Sequence, residues 1–202
     1  MSKRSGGFGV SQSASDDRLE QDLAAVQAMV ADKRQKVGIK YDRFITRVAE
    51  VLRTNYPSAF PMPDDQLKEL VAAVDVIGEE SRGLMKKLGE YCAGCGWCCS
   101  RTSKIVVNQK DAERISRELR RKTEDLFSHE ENEWTIKDAC PCQWWNPRNG
   151  RCTIYNIRPE TCRTWPLAIN ERGQKMLHPV PECAFAVLVL ADKVLRHLRG
   201  IR

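Results

Sequence analysis

Apolar residues recur at helical spacing through the first ninety positions. Leu19, Leu23, Val26 and Val30 step by three and four, and predict a first helix beginning at about Asp17. Phe44, Val48, Val51 and Leu52 predict a second, which should stop near Asn55-Tyr-Pro57 because the residue before a proline is driven out of the helical region. After the connector Phe60-Pro-Met-Pro-Asp-Asp65, a third helix is expected from about Asp64 to Glu90 on Leu67, Leu70, Val71, Val74, Ile77, Leu84 and Leu88, with Gly78 its weak point. Residues 1–16 are rich in Ser and Gly and carry no core pattern; they read as a mobile tail.

Beyond position 100 the periods shorten. Ile105-Val-Val107 is a short β-branched run, followed by the capping signal Asn108-Gln-Lys-Asp111 and a helix on Ala112, Ile115, Leu119 and Leu126. Trp134-Thr-Ile136 reads as a strand. Gln143-Trp-Trp145 and Arg151-Cys-Thr-Ile-Tyr155 flank Asn146-Pro-Arg-Asn-Gly150, a hairpin in which Asn149 and Gly150 tolerate positive φ. Pro159 suits the first turn of a short helix holding Cys162. Trp165-Pro-Leu-Ala-Ile then meets Met176-Leu-His across Glu171-Arg-Gly173, and Cys183 opens an apolar helix ending near Gly200. The sum is an α+β protein: a tail over 1–16, a helical segment over 17–90, and a small cysteine-rich metal-binding domain of short strands and hairpins over 91–202 with a carboxy-terminal helix.

Cysteine usage changes this picture most. All nine cysteines lie from position 92 onward, four of them in Cys92-Ala-Gly-Cys95-Gly-Trp-Cys98-Cys99. The amino terminus lacks the apolar stretch of a secretory signal, and the longest apolar run, Cys183 to Ala191, falls well short of the roughly 20 residues that span a bilayer. The chain is therefore expected in the cytosol, where clustered thiols ligate metal more often than they pair. An odd count and the adjacent pair Cys98-Cys99 also fit a disulfide framework poorly.

Cys92, Cys95 and Cys98 form two overlapping C-x-x-C steps whose backbone Gly94 and Gly96 make feasible, a run resembling bacterial-type cluster sites. A fourth ligand must come from elsewhere, and Cys140, followed by Pro141, suits it. Zinc competes, since Cys₄ sites use the same knuckles. In an extended backbone Cys98 and Cys99 would point opposite ways and serve two neighbouring centres. Cys142 reads as a ligand, a substitute ligand or a reactive thiol, and His178 as a metal ligand or an ordinary hydrogen-bonded histidine. Trp97, Trp144, Trp145 and Trp165 would shield the centre from water. No catalytic residue is identified: G-x-S-x-G, glycine-rich phosphate loops and H-E-x-x-H are absent from the sequence.

The net charge of +6, with Arg120-Arg-Lys122 and the basic tail Arg196 to Arg202, permits nucleic-acid binding, but a solvated helical face accounts for it as well. The amino-terminal helices are expected to pack on the cysteine domain as a helical layer in preference to forming an antiparallel arm for a partner or a second copy, and another protein is the partner expected to bind through them.

Cys92-x-x-Cys95-Gly-x-Cys98-Cys99, Cys140-Pro, Cys152-Thr-Ile-Tyr155, Arg158-Pro159, Cys162-Arg163 and Trp165-Pro166 together resemble the YkgJ-type cysteine-cluster family of zinc- or iron-chelating proteins, over about residues 90 to 185. Flagellin lysine methylases contain a similar domain, thought to hold an iron–sulfur centre. The resemblance implies the ligand set Cys92, Cys95, Cys98, Cys99, Cys140, Cys152, Cys162 and Cys183, with Cys142 beyond the usual pattern. The expected function is a redox or accessory factor for modification of another protein, built on an iron–sulfur cluster of the 4Fe-4S kind. The alternative is a zinc-stabilised interaction module without catalytic activity.

Overall fold

The structure is a computed structural model that describes residues 12–77, 96–169, 173 and 175–200. In chain order it contains helices α1 (Gln12–Val37), α2 (Ile39–Asn55) and α3 (Asp64–Val76), then a short helix α4 (Trp97–Arg101) and strand β1 (Val106–Val107). Helices α5 (Gln109–Leu119) and α6 (Thr123–Leu126) lead into strands β2 (Phe127–Glu130) and β3 (Glu133–Ile136). The hairpin β4 (Trp145–Asn146) and β5 (Arg151–Cys152) is followed by α7 (Glu160–Thr164), the pair β6 (Leu167–Ile169) and β7 (Lys175–Leu177), and α8 (Ala184–Leu198). The architecture is α+β, as the sequence pattern predicts.

Two cores organise it. The first joins α1, α2, α3 and α8: Tyr41, Phe44, Leu52, Leu67, Val71, Leu190 and Val194 are closed to solvent against one another. One polar group lies inside, where Asp75 accepts from Lys33 Nζ at 2.7 Å and from the Tyr41 hydroxyl at 2.8 Å. The Lys193 ammonium donates to the Asp75 carbonyl at 3.4 Å, so all four helices meet at one carboxylate-bearing residue. The second core belongs to the cysteine region and gathers Ile115, Leu126, Phe127, Ile136, Trp144 and Ile154 beneath a three-stranded antiparallel sheet of order β1-β3-β2.

The structure departs from the sequence pattern in three places. α1 begins at Gln12, within the stretch expected to be a tail. The helix predicted through Leu126 ends at Leu119, because Arg120 turns left-handed at φ 53° and closes the helix by donating to the Ser116 and Arg117 carbonyls. The pattern predicts no strand over 127–130, yet β2 pairs with β3 through a two-residue turn in which Glu131 and Asn132 both take positive φ. That is a hairpin turn made without glycine, and so without its usual sequence signal. The predicted continuation of the third helix to Glu90 falls on 78–95, outside the described residues. No described helix is long and apolar enough to cross a membrane.

Candidate metal centre

Gly96 precedes α4 in the left-handed conformation, φ 62°, and a Cβ there would meet the Gly150 carbonyl at 2.6 Å and Trp145 Nε1 at 2.7 Å. Only glycine lets this backbone lie against the turn of the β4–β5 hairpin. From that anchor the single turn of α4 divides its side chains between the two cores. Trp97 packs on the helical core, and Cys99 on the core of the cysteine region.

Cys98 and Cys99 therefore sit on a helical turn, not on the extended backbone that would send them to separate centres. Both line the same cavity, with their sulfurs 4.0 Å apart. Cys142 reaches that cavity through the loop before β4: its amide donates to the Cys99 carbonyl at 2.7 Å, and Gln143 ties the loop to the Leu126 and Lys137 carbonyls. Cys152 arrives on β5, paired with Trp145, and Cys162 on α7. Cys98, Cys99, Cys142, Cys152 and Cys162 thus line one cavity of about 280 Å³, walled further by Ile136, Trp144, Ile154 and Trp165.

The other candidates lie elsewhere. Cys140 is exposed, its sulfur 3.9 Å from the Ser100 carbonyl. Cys183 is buried in the helical core and caps α8, where its sulfur accepts from the Ala186 amide at 3.4 Å. His178 packs against Trp165 with the rings tilted by 50° and 5.0 Å between centroids, outside the cavity lining. Cys92, Cys95 and Gly94 fall outside the described residues.

A clamp absent from the sequence reading positions Cys162. Asp111, near the start of α5, accepts from Arg114 and, at 2.7 Å, from the Glu160 amide that opens α7. Arg114 donates onward to the Ile157 carbonyl at 2.9 Å, and Arg163 donates to the Arg158 and Asn156 carbonyls at 3.1 Å each. Burial pushes the Asp111 carboxyl up, but Arg114 and the Glu160 amide outweigh it and hold the group below its usual range. The capping signal at Asn108 marks the near half of this clamp; its far half lies 49 residues on.

Four of the cavity thiols, Cys98, Cys142, Cys152 and Cys162, are driven toward the protonated form. Cys98 is pushed up by its bond with Cys99 and then by burial; Cys142 and Cys152 are pushed up chiefly by burial. Cys162 is pushed up to about 12, by burial first and then by Cys98, Cys142 and Cys152. Such a cage becomes a set of thiolates only when bound positive charge replaces the protons.

The fit to a metal group rests on three features. The donors are thiols, the set that soft metals and iron–sulfur clusters take. The Trp165 indole Nε1 is buried without a partner among the described residues, leaving a donor available beside the cavity. The space is far larger than one ion requires.

Residues 91–184 match the family model CxxCxxCC, described as a "putative zinc- or iron-chelating domain". No curated protein and no solved structure matches the chain.

Proposed function

We propose that the cysteine cage of residues 91–184, the stretch that matches the CxxCxxCC model, holds an iron–sulfur cluster and serves as a redox or accessory factor in modification of another protein. One observation carries the reading. Five thiols line a common cavity of about 280 Å³, a space that suits a polyatomic group better than a lone ion. Cys98, Cys99, Cys142, Cys152 and Cys162 would hold the group, joined by Cys92 and Cys95 on the strength of their spacing. When bound, such a cluster supplies one-electron transfer. The chain's own contribution is to wall it with Ile136, Trp144, Ile154 and Trp165, and to fix the segment bearing Cys162 through Asp111 and Arg114. The free thiols fit a reducing compartment such as the cytosol. The helices before the domain are the surface for a protein partner.

Zinc is the second reading, favoured by one distance. The 4.0 Å between the Cys98 and Cys99 sulfurs is near the spacing, about 3.8 Å, of two thiolates on a tetrahedral zinc with bonds of about 2.3 Å. Anaerobic purification with iron, zinc and acid-labile sulfide analysis decides between them. Iron with stoichiometric sulfide is expected; zinc without either rejects the cluster, and protein free of metal rejects both readings.

A further inference from the structure

α1 is the most loosely held helix of the helical layer. Among its described side chains, residues 20–37, Val30 alone is buried, with Val26 and Val37 half-buried against the same core, whereas α2, α3 and α8 each bury six residues. The rest of its attachment is polar. Lys33 reaches Asp75 at 2.7 Å, and Arg34 grips Glu69 through both terminal nitrogens, at 2.7 and 3.2 Å. The joint between α1 and α2 is a single residue. The Gly38 amide still donates to the Arg34 carbonyl at 2.8 Å, as the last rung of α1, and its carbonyl accepts from the Tyr41 amide at 2.8 Å. At φ 69° and ψ −154° Gly38 occupies a backbone region that is essentially confined to glycine. Turning these two angles to helical values merges α1 and α2 into one continuous helix over 12–55.

We propose that α1 exchanges between two copies of this chain, giving a dimer in which α1 of each copy docks on α2 and α3 of the other. The inference does not depend on what the cysteine cage holds. Val30 in the core, Lys33 on Asp75 and Arg34 on Glu69 find the same partners in the same groove of a second copy, so none of these contacts is lost on exchange. The balance between the closed chain and the exchanged pair is then set by the hinge. Few buried side chains must be released before α1 leaves its own groove. Ala24, Ala25, Ala28 and Ala31 favour its staying helical while it is detached.

The test uses the full chain under reducing conditions, so that thiols cannot join two copies, with mass read by light scattering. Gly38→Ala places a methyl group where nothing lies within 4 Å, so it acts on the backbone alone: alanine is strained in the hinge conformation and favours the continuous helix. The dimer dissociation constant of Gly38→Ala should fall about tenfold or more below that of the parent protein. A folded Gly38→Ala protein with the parent's balance of monomer and dimer overturns the proposal. A pair of variants reads the exchange itself. Arg34→Glu and Glu69→Arg each set like charges together in a closed chain or in a dimer of one variant, but an exchanged mixed dimer restores opposite charges at both crossings. Co-expressed with different tags, they should give mixed over like dimers at about threefold the chance ratio or more by native mass spectrometry. The pair is made with Gly38→Ala and, should that change prevent folding, in the parent background. An excess of mixed dimers is expected in either; a chance ratio, or monomers alone, refutes the exchange.

Discussion

In the helical layer, Tyr41, Phe44, Leu52, Leu67, Val71, Leu190 and Val194 are closed against one another across three helices of 13 residues or more. In the cysteine region no described strand exceeds four residues, and the side chains at its centre face a cavity. Each fully buried aliphatic or aromatic side chain stabilises by about 1.5–3 kcal/mol. The helical layer has enough of them to be held by apolar burial alone. The cysteine region has fewer, on strands too short to stand by themselves, and its thiols face space that burial does not fill. Its missing cohesion is what a bound metal group supplies, because binding free energy at such sites is folding free energy.

The largest test of this contrast is removal of the metal. Stripping it under reducing conditions should cost the cysteine region an amount on the order of 10 kcal/mol, as at structural metal sites generally. Amides of β2 to β5 should then exchange rapidly while those of α2 and α8 stay protected. Loss of protection in both regions together would mean that they form one cooperative unit. The converse change is Phe44→Ala, which opens a cavity in the helical core and should cost about 3–5 kcal/mol by chemical denaturation. Metal content per folded molecule should not change. A fall in metal loading in step with stability would show that the cage depends on the helical layer.

How far each region was legible in the sequence follows the same division. The helical layer announces itself, since residues such as Phe44, Val48 and Leu52 recur with the period of the helix they form. The β4–β5 hairpin was equally readable, although Gly150 alone takes positive φ and Asn149 instead accepts the Arg151 amide on its side chain. Thiol density pointed to a metal site, but the arrangement of the thiols was not readable. Whether Cys140 or Cys142 faces the cavity depends on a bend closed between Ala139 and Cys142 and on the amide bond from Cys142 to Cys99, which are tertiary facts. Cys183 belongs to the ligand set that the family resemblance implies, yet the start of α8 carries it into the helical core. Its burial there has the same apolar basis as that of Val187 and Leu190.

A smaller effect tests the joint between the regions. Gly96→Ala forces a side chain into the left-handed region, at a cost of about 1–2 kcal/mol. The new Cβ also presses on the Gly150 carbonyl and Trp145 Nε1, at 2.6 and 2.7 Å. Unfolding monitored by tryptophan fluorescence should show the loss, with slower metal uptake, while the exchange protection of α2 remains that of the parent protein. A variant with unaltered stability would show that the hairpin shifts to accommodate the methyl group.

The smallest expected effect comes from the Asp111 clamp, and its sign is fixed by the direction of the shift. The folded-state carboxyl titrates below the usual value of about 3.9, so its contribution is fully present above that value and fades as pH falls through the lower folded one. Acid should therefore weaken the parent protein more than Asp111→Asn, in which no proton is taken up. The variant itself should be the less stable of the two at neutral pH, because the charged acceptor of Arg114 is gone. Urea midpoints at pH 7, pH 5 and pH 3 read both statements, and parallel slopes for parent and variant would show that the bonds to Arg114 and Glu160 hold no stability that depends on the charge. Such a result would leave the segment bearing Cys162 fixed by Arg163 and the metal group, and would make the cysteine region more dependent on its ligand than the contrast with the helical layer already requires.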